Sequence, residues 1–166
     1  MANDCGLKTV VERYKQMVFG VAMTRLRNKA DAEDVFSEVF LLYFEKGKSY
    51  RDEEHRKAWL LRVTMNICAK TASKRSRTFP INEALDIGVS FDTDEQQDLY
   101  DALLALPEAD RTALHLFYFE DMTTQEVAHA LGIRPGAARM RLSRGRERLR
   151  ELLEDSTAKS YERTAF

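Results

Sequence analysis

Residues 132–153, GIRPGAARMRLSRGRERLRELL, carry seven arginines against two glutamates in a chain whose net charge is only −1. Guanidinium groups packed this densely suit the recognition of phosphate and of the acceptor edge of guanine, because each offers a planar fork of N–H donors. The residues just before them show how such a helix would be presented. Thr123 followed by Glu126 fits a capping box that opens a short helix. Val127, Ala128 and Leu131 can pack inward, and Gly132 offers both a left-handed turn and a close approach between helices. Pro135 suits the start of a second helix. Short helix, glycine turn and basic helix, in that order, make the pattern of a helix-turn-helix whose second helix enters a DNA major groove.

Projected at about 100° per residue, the second helix sorts its side chains. Ala138, Leu142, Gly145, Leu149 and Leu152 form one narrow inward stripe, and Gly136, Met140, Ser143 and Glu147 lie opposite. Arg139 and Arg144 flank that outer face. The candidates for meeting base edges are therefore Arg139, Met140, Ser143 and Arg144. Arg141, Arg146, Arg148 and Arg150 point elsewhere around the helix and suit phosphates, which add affinity without sequence information.

The elements that must carry this helix are themselves helical. Apolar residues recur at helical spacing almost throughout, and no strand-like alternation persists. The pattern predicts helices over about 7–27, from an Asp31 cap to about 46, over about 56–75, over 96–106, and over 108–119 opened by Pro107. Trp59, Leu60, Val63 and Ile67 are expected inward on the third, and Phe36, Phe40, Tyr43 and Phe44 mostly in the core. The fold expected is all-α: two small helical domains, 1–77 and 96–155, joined by a flexible acidic linker over 78–95, with a polar tail over 156–166 and the helix-turn-helix in the second domain. Charge divides the same way. Residues 1–77 hold 16 basic and 10 acidic side chains, 78–133 hold 1 and 12, and 134–166 hold 9 and 5. Two basic ends around an acidic middle suggest two separate polyanion-facing surfaces.

The N-terminal half repeats the theme. Arg62, Asn66, Lys70 and Lys74 recur every four residues and so share one helix face. Other chemistries find less support. EKGKSY contains the GKS of a phosphate-binding loop, but Leu42 stands where its first glycine belongs and no strand precedes it. His55, His115 and His129 have no metal-ligand spacing, and Cys5 and Cys68 form no paired-cysteine motif, so no enzyme activity, cofactor or metal is expected. No apolar run reaches the roughly 20 residues that cross a bilayer, so the expectation is a cytoplasmic protein without membrane insertion. A stand-alone helix-turn-helix repressor is the remaining rival, although the N-terminal half lacks the pocket or dimerisation signature such proteins add.

Taken together, LYDALLALPEADRTALHLFYFEDMTTQEVA and the helix-turn-helix after it resemble the C-terminal domain of a bacterial RNA polymerase sigma factor of the two-domain extracytoplasmic-function group. ADAEDVFSEVFLLYFEK resembles that group's core-binding helix and RKAWLLRVTMNICAK its promoter-melting helix, so the likeness covers roughly residues 7–153. The resemblance implies promoter-specific initiation with core RNA polymerase. It places Asp34, Ser37 and Glu38 against a coiled coil of the largest subunit, with Ser37 replacing the usual glutamine, and implies the polymerase flap region as a further contact. It places Arg62, Asn66, Lys70 and Lys74 on the minus-10 element, and residues 48–56 in a loop that captures a flipped-out base. Arg139, Met140, Ser143 and Arg144 fall on the minus-35 element, with Met140 where a small polar residue is usual, which would suit a thymine methyl. Members of the group are often held by an anti-sigma protein, so the resemblance admits that partner as well.

Overall fold

Asn28 and Gly47 bracket one of the clearest helices in the molecule. The Asn28 side chain accepts a hydrogen bond from the Asp31 amide at 2.9 Å, and Gly47 closes the other end with φ of 53°. Such a cap contributes about 1 kcal/mol. Asp31, expected as the cap, instead sits in the first turn, where its charge complements the helix dipole. The computed structural model describes the backbone of residues 2–47, 49–78 and 94–164, and side chains over 6–47, 49–74 and 94–155. All the regular structure among the described residues is helical.

The chain divides into two compact units, Met1–Ile87 and Gly88–Phe166. The first holds α1 (Ala2–Leu26), α2 (Lys29–Lys46) and α3 (Glu53–Thr78), each packed against the other two. Val18, Val21 and Ala22 of α1, Val35 and Val39 of α2, and Leu60 of α3 are essentially excluded from water. Thr64 is buried among them and donates its hydroxyl to the Leu60 carbonyl at 2.7 Å, so no donor is stranded. Helix α3 starts three residues before the expected position. Asp52 accepts from the His55 amide at 2.8 Å, which caps the helix and brings Glu53 and Glu54 into its first turn.

The second unit holds α4 (Asp94–Ala105), α5 (Glu108–Tyr118), α6 (Thr124–Leu131) and α7 (Pro135–Thr164). Helix α7 packs on all three of the others. Its core is built from Leu103, Leu104, Leu114, Leu116, Val127 and Leu142. The buried Arg111 donates to the carbonyls of Leu104 and Leu106 at 3.3 and 3.0 Å, so it satisfies the C-terminal end of α4. Most of the acidic linker expected over 78–95 lies outside the described residues, and the helical structure after it resumes at Asp94. The polar tail expected over 156–166 instead continues the backbone of α7 to Thr164. No glycine or proline interrupts it there, so nothing ends the helix earlier.

Candidate nucleic-acid interface

The turn into α7 is built almost wholly from local chemistry. Thr123 Oγ1 accepts from the Glu126 amide at 3.2 Å, and Glu126 Oε2 accepts from the Thr123 amide at 2.7 Å, completing the capping box. At the other end of α6, Gly132 adopts φ of 66°, its amide donates to the His129 carbonyl, and the Ile133 amide donates to Ala128 at 2.9 Å. That pair of bonds is the Schellman arrangement, which needs a residue at ease in the left-handed region. A Cβ on Gly132 would meet nothing within 4 Å, so this glycine serves the turn alone and not a close helix approach.

The close approach lies one helix further on. A Cβ on Gly145 would fall 2.9 Å from Leu114 Cδ1 and 3.3 Å from Asp110 Cβ, so the bare glycine lets α7 settle onto α5. Ala138, Leu142 and Gly145 are buried, with Leu149 and Leu152 half-buried beyond them, as the helical projection predicts. Arg139, Met140, Ser143 and Arg144 all lie on the exposed side, Met140 at 64% of its full exposure. A methionine this open on a basic helix presents an apolar side chain to solvent.

The arginines of α7 divide their work in a way the projection does not capture. The Asp110 side chain, only 1% exposed, accepts from Arg144 Nη2 at 2.9 Å, from Arg144 Nε at 3.3 Å, and from Arg148 Nη1 at 2.7 Å. Asp110 holds the Arg144 guanidinium further above its already high pKa range, first by hydrogen bonding and then by charge. Arg146 turns toward α5, donating to the Tyr118 hydroxyl at 2.7 Å and lying over the Phe117 ring at 5.3 Å. Arg141 is half-buried. Asp110 was not among the sequence candidates, although a signal was there. It lies three and four residues before Ala113 and Leu114, on the inward face of its helix, where an unpaired acid would be costly.

In the first unit, Arg62, Asn66, Lys70 and Lys74 are exposed along one side of α3. Asp34, Ser37 and Glu38 are exposed on α2, and the same face continues into Leu41 and Phe44, each more than half exposed. Phe40 alone of the four α2 aromatics is buried in the core, because Phe36 and Tyr43 lie at its margin and Phe44 faces out. Trp59 and Val63, expected inward, are half-buried. Trp59 meets Tyr43 and Tyr50 edge-on at 6.0 and 5.9 Å, while Tyr50 stacks flat on Tyr43 and carries the Arg56 guanidinium over its ring at 5.3 Å. Glu53 ties this cluster to α1 by accepting from Tyr14 at 2.7 Å, and it also pairs with Arg56. Lys48, in the loop preceding α3, lies outside the described residues.

Comparison with known proteins places these surfaces in a family. Residues 10–78 match Sigma-70 region 2, and residues 96–149 match Sigma-70, region 4. The ECF RNA polymerase sigma factor SigE of Mycolicibacterium smegmatis is 28% identical over 155 residues, covering 87% of this chain and 60% of SigE. The sigma factor CarQ of Myxococcus xanthus is 31% identical over 151 residues, 85% of each chain. The chain belongs to the extracytoplasmic-function group of RNA polymerase sigma factors. Its fold agrees with that of the sigma factor RpoE from Bartonella quintana, solved in complex with the anti-sigma factor NepR, at a TM-score of 0.71 and 25% identity, over 89% of this chain and 96% of that one. This sigma factor spans three fifths of the length of SigE. Among the described residues, no helix is long and apolar enough to cross a membrane, and no three His, Cys, Asp or Glu side chains gather as a metal site. Cys68 is fully buried.

Proposed function

We propose that this sigma factor binds core RNA polymerase in the cytoplasm and directs it to promoters carrying its own minus-35 and minus-10 elements, without catalysing a reaction itself. The observation that carries the reading is the pairing of two exposed, nucleic-acid-suited helix faces, one in each unit, within one chain. Arg139, Met140, Ser143 and Arg144 on α7 face the minus-35 duplex, with Arg141, Arg146 and Arg148 suited to flanking phosphates. Arg62, Asn66, Lys70 and Lys74 on α3 face the minus-10 element as it opens. Asp34, Ser37 and Glu38 on α2 meet the polymerase, and an anti-sigma protein is a further partner of the kind seen with the Bartonella RpoE.

The test is run-off transcription from a fragmented-genome library by core polymerase, with and without the protein. New discrete starts preceded by two shared sequence elements are expected. No new starts, together with tight polymerase-independent binding to a palindrome, would replace this reading with that of a repressor.

A further inference from the structure

A base-reading arginine has to arrive with one edge of its guanidinium presented to the base, and a long side chain on an exposed helix face otherwise samples many rotamers. Arg144 is held. Its Nε and Nη2 face the Asp110 carboxylate, leaving Nη1 and the second N–H of Nη2 as an outward edge on a side chain that is 49% exposed. Two N–H groups on one edge are what the O6 and N7 acceptors of guanine require.

The carboxylate is itself fixed. Asp110 lies in the first turn of α5, where the helix dipole favours an anion, and Arg148 takes its second oxygen at 2.7 Å from one turn further along α7. The contact depends on the closeness of the two helices, since Asp110 Cβ lies 3.3 Å from where a Cβ on Gly145 would be.

We propose that Asp110 is a positioning residue for promoter recognition, a buried carboxylate that presets Arg144 to read one guanine of the minus-35 element. The inference rests on the minus-35 reading of α7 given above. Arg148 completes the clamp and contributes charge toward the phosphates, while Arg139, Met140 and Ser143 read their own positions independently of it. Asp110 touches no DNA, yet its removal loosens specificity at the single base pair that Arg144 reads.

The experiment is transcription by holoenzyme, assembled from core polymerase and the full-length protein, on a promoter library randomised across the minus-35 element. Arg144→Ala should relax discrimination at one G·C pair by about tenfold or more, the range of a lost bidentate contact. Asp110→Asn should relax the same pair, and the double variant should relax it no further than Arg144→Ala alone. Asp110→Glu, which keeps the charge but displaces it by one methylene, gives the same reading if the asparagine variant fails to fold. An even fall in output across all minus-35 sequences in the Asp110 variants, with the preference intact, would overturn the proposal and leave Asp110 a stabilising residue only. So would unchanged preference in Arg144→Ala while Arg139→Ala relaxes another position. Unchanged preference in both arginine variants would instead overturn the minus-35 reading, and the proposal with it.

Discussion

Gly145 of α7 and Leu114 of α5 are so close that a Cβ on the glycine would lie 2.9 Å from Leu114 Cδ1 and 3.2 Å from its Cγ. Leu114 is 1% exposed, so its branched end has little room to move aside. Gly145→Val should therefore destabilise the second unit by about 1–3 kcal/mol through overpacking. Gly145→Ala should cost less, because removing a glycine from a helix interior returns about 1 kcal/mol. Urea denaturation followed by circular dichroism checks the order, and a valine variant as stable as the parent would show that α7 can move away from α5 at no cost.

Arg111 is a buried cation in the same unit, 4% exposed and donating to the carbonyls of Leu104 and Leu106 at the end of α4. Arg111→Met keeps much of the volume and removes the donors. The carbonyls of Leu104 and Leu106 would then lose that partner, and the expected loss is about 1–3 kcal/mol. A shift in the urea midpoint with an unchanged slope is the expected signature.

The degree to which these features could be read beforehand depended on how local their causes are. Thr123, Glu126 and Gly132 act within one turn of chain, and the capping box and left-handed turn were legible from their spacing. The inward stripe of α7 follows from helix geometry alone. The Asp110 clamp was not legible, because it joins residues 34 and 38 positions apart and depends on Gly145 bringing two helices together. The sequence suggests Gly132 for the close approach that Gly145 in fact makes, because it distinguishes poorly between a glycine needed for its φ and one needed for its missing Cβ. Trp59 was expected in the core because periodicity records the side of a helix but not the loop that covers it, and Tyr50 from the preceding loop provides that partner.

Tyr50 also gives the first unit a sensitivity to alkali. Burial first, and the neighbouring Tyr43 second, raise its pKa above the usual 10.0. Folding therefore favours the neutral phenol. The stability this contributes is fully present below the unfolded value of about 10 and is lost as pH rises through the higher folded value. Its buried hydroxyl has no hydrogen-bond partner among the described residues. Tyr50→Phe should accordingly leave stability at neutral pH unchanged or raise it by up to about 1 kcal/mol. It should also flatten the loss of stability above pH 10. Thermal melts of both proteins across that range check it, and parallel alkaline curves would remove Tyr50 as the cause.

The side of α2 that the proposed function assigns to polymerase binding combines two kinds of surface that would contribute differently. Asp34 and Glu38 are exposed acids, whereas Leu41 and Phe44 are 57% and 54% exposed. Exposed acids steer association and are screened by salt, whereas a large apolar side chain that becomes buried on docking supplies binding energy through area removed from water. Phe44→Ser should therefore weaken core polymerase binding by about tenfold or more and change mainly the dissociation rate. The double variant Asp34→Asn, Glu38→Gln should slow association and flatten its dependence on ionic strength. Because these side chains face outward, neither change should lower the melting temperature of the isolated protein by more than the equivalent of about 0.5 kcal/mol. Surface-immobilised core polymerase and a salt series separate the two effects. If Phe44→Ser bound with its parent's dissociation rate, the exposed apolar end of α2 would lie outside the docked surface, and the acids alone would define the contact.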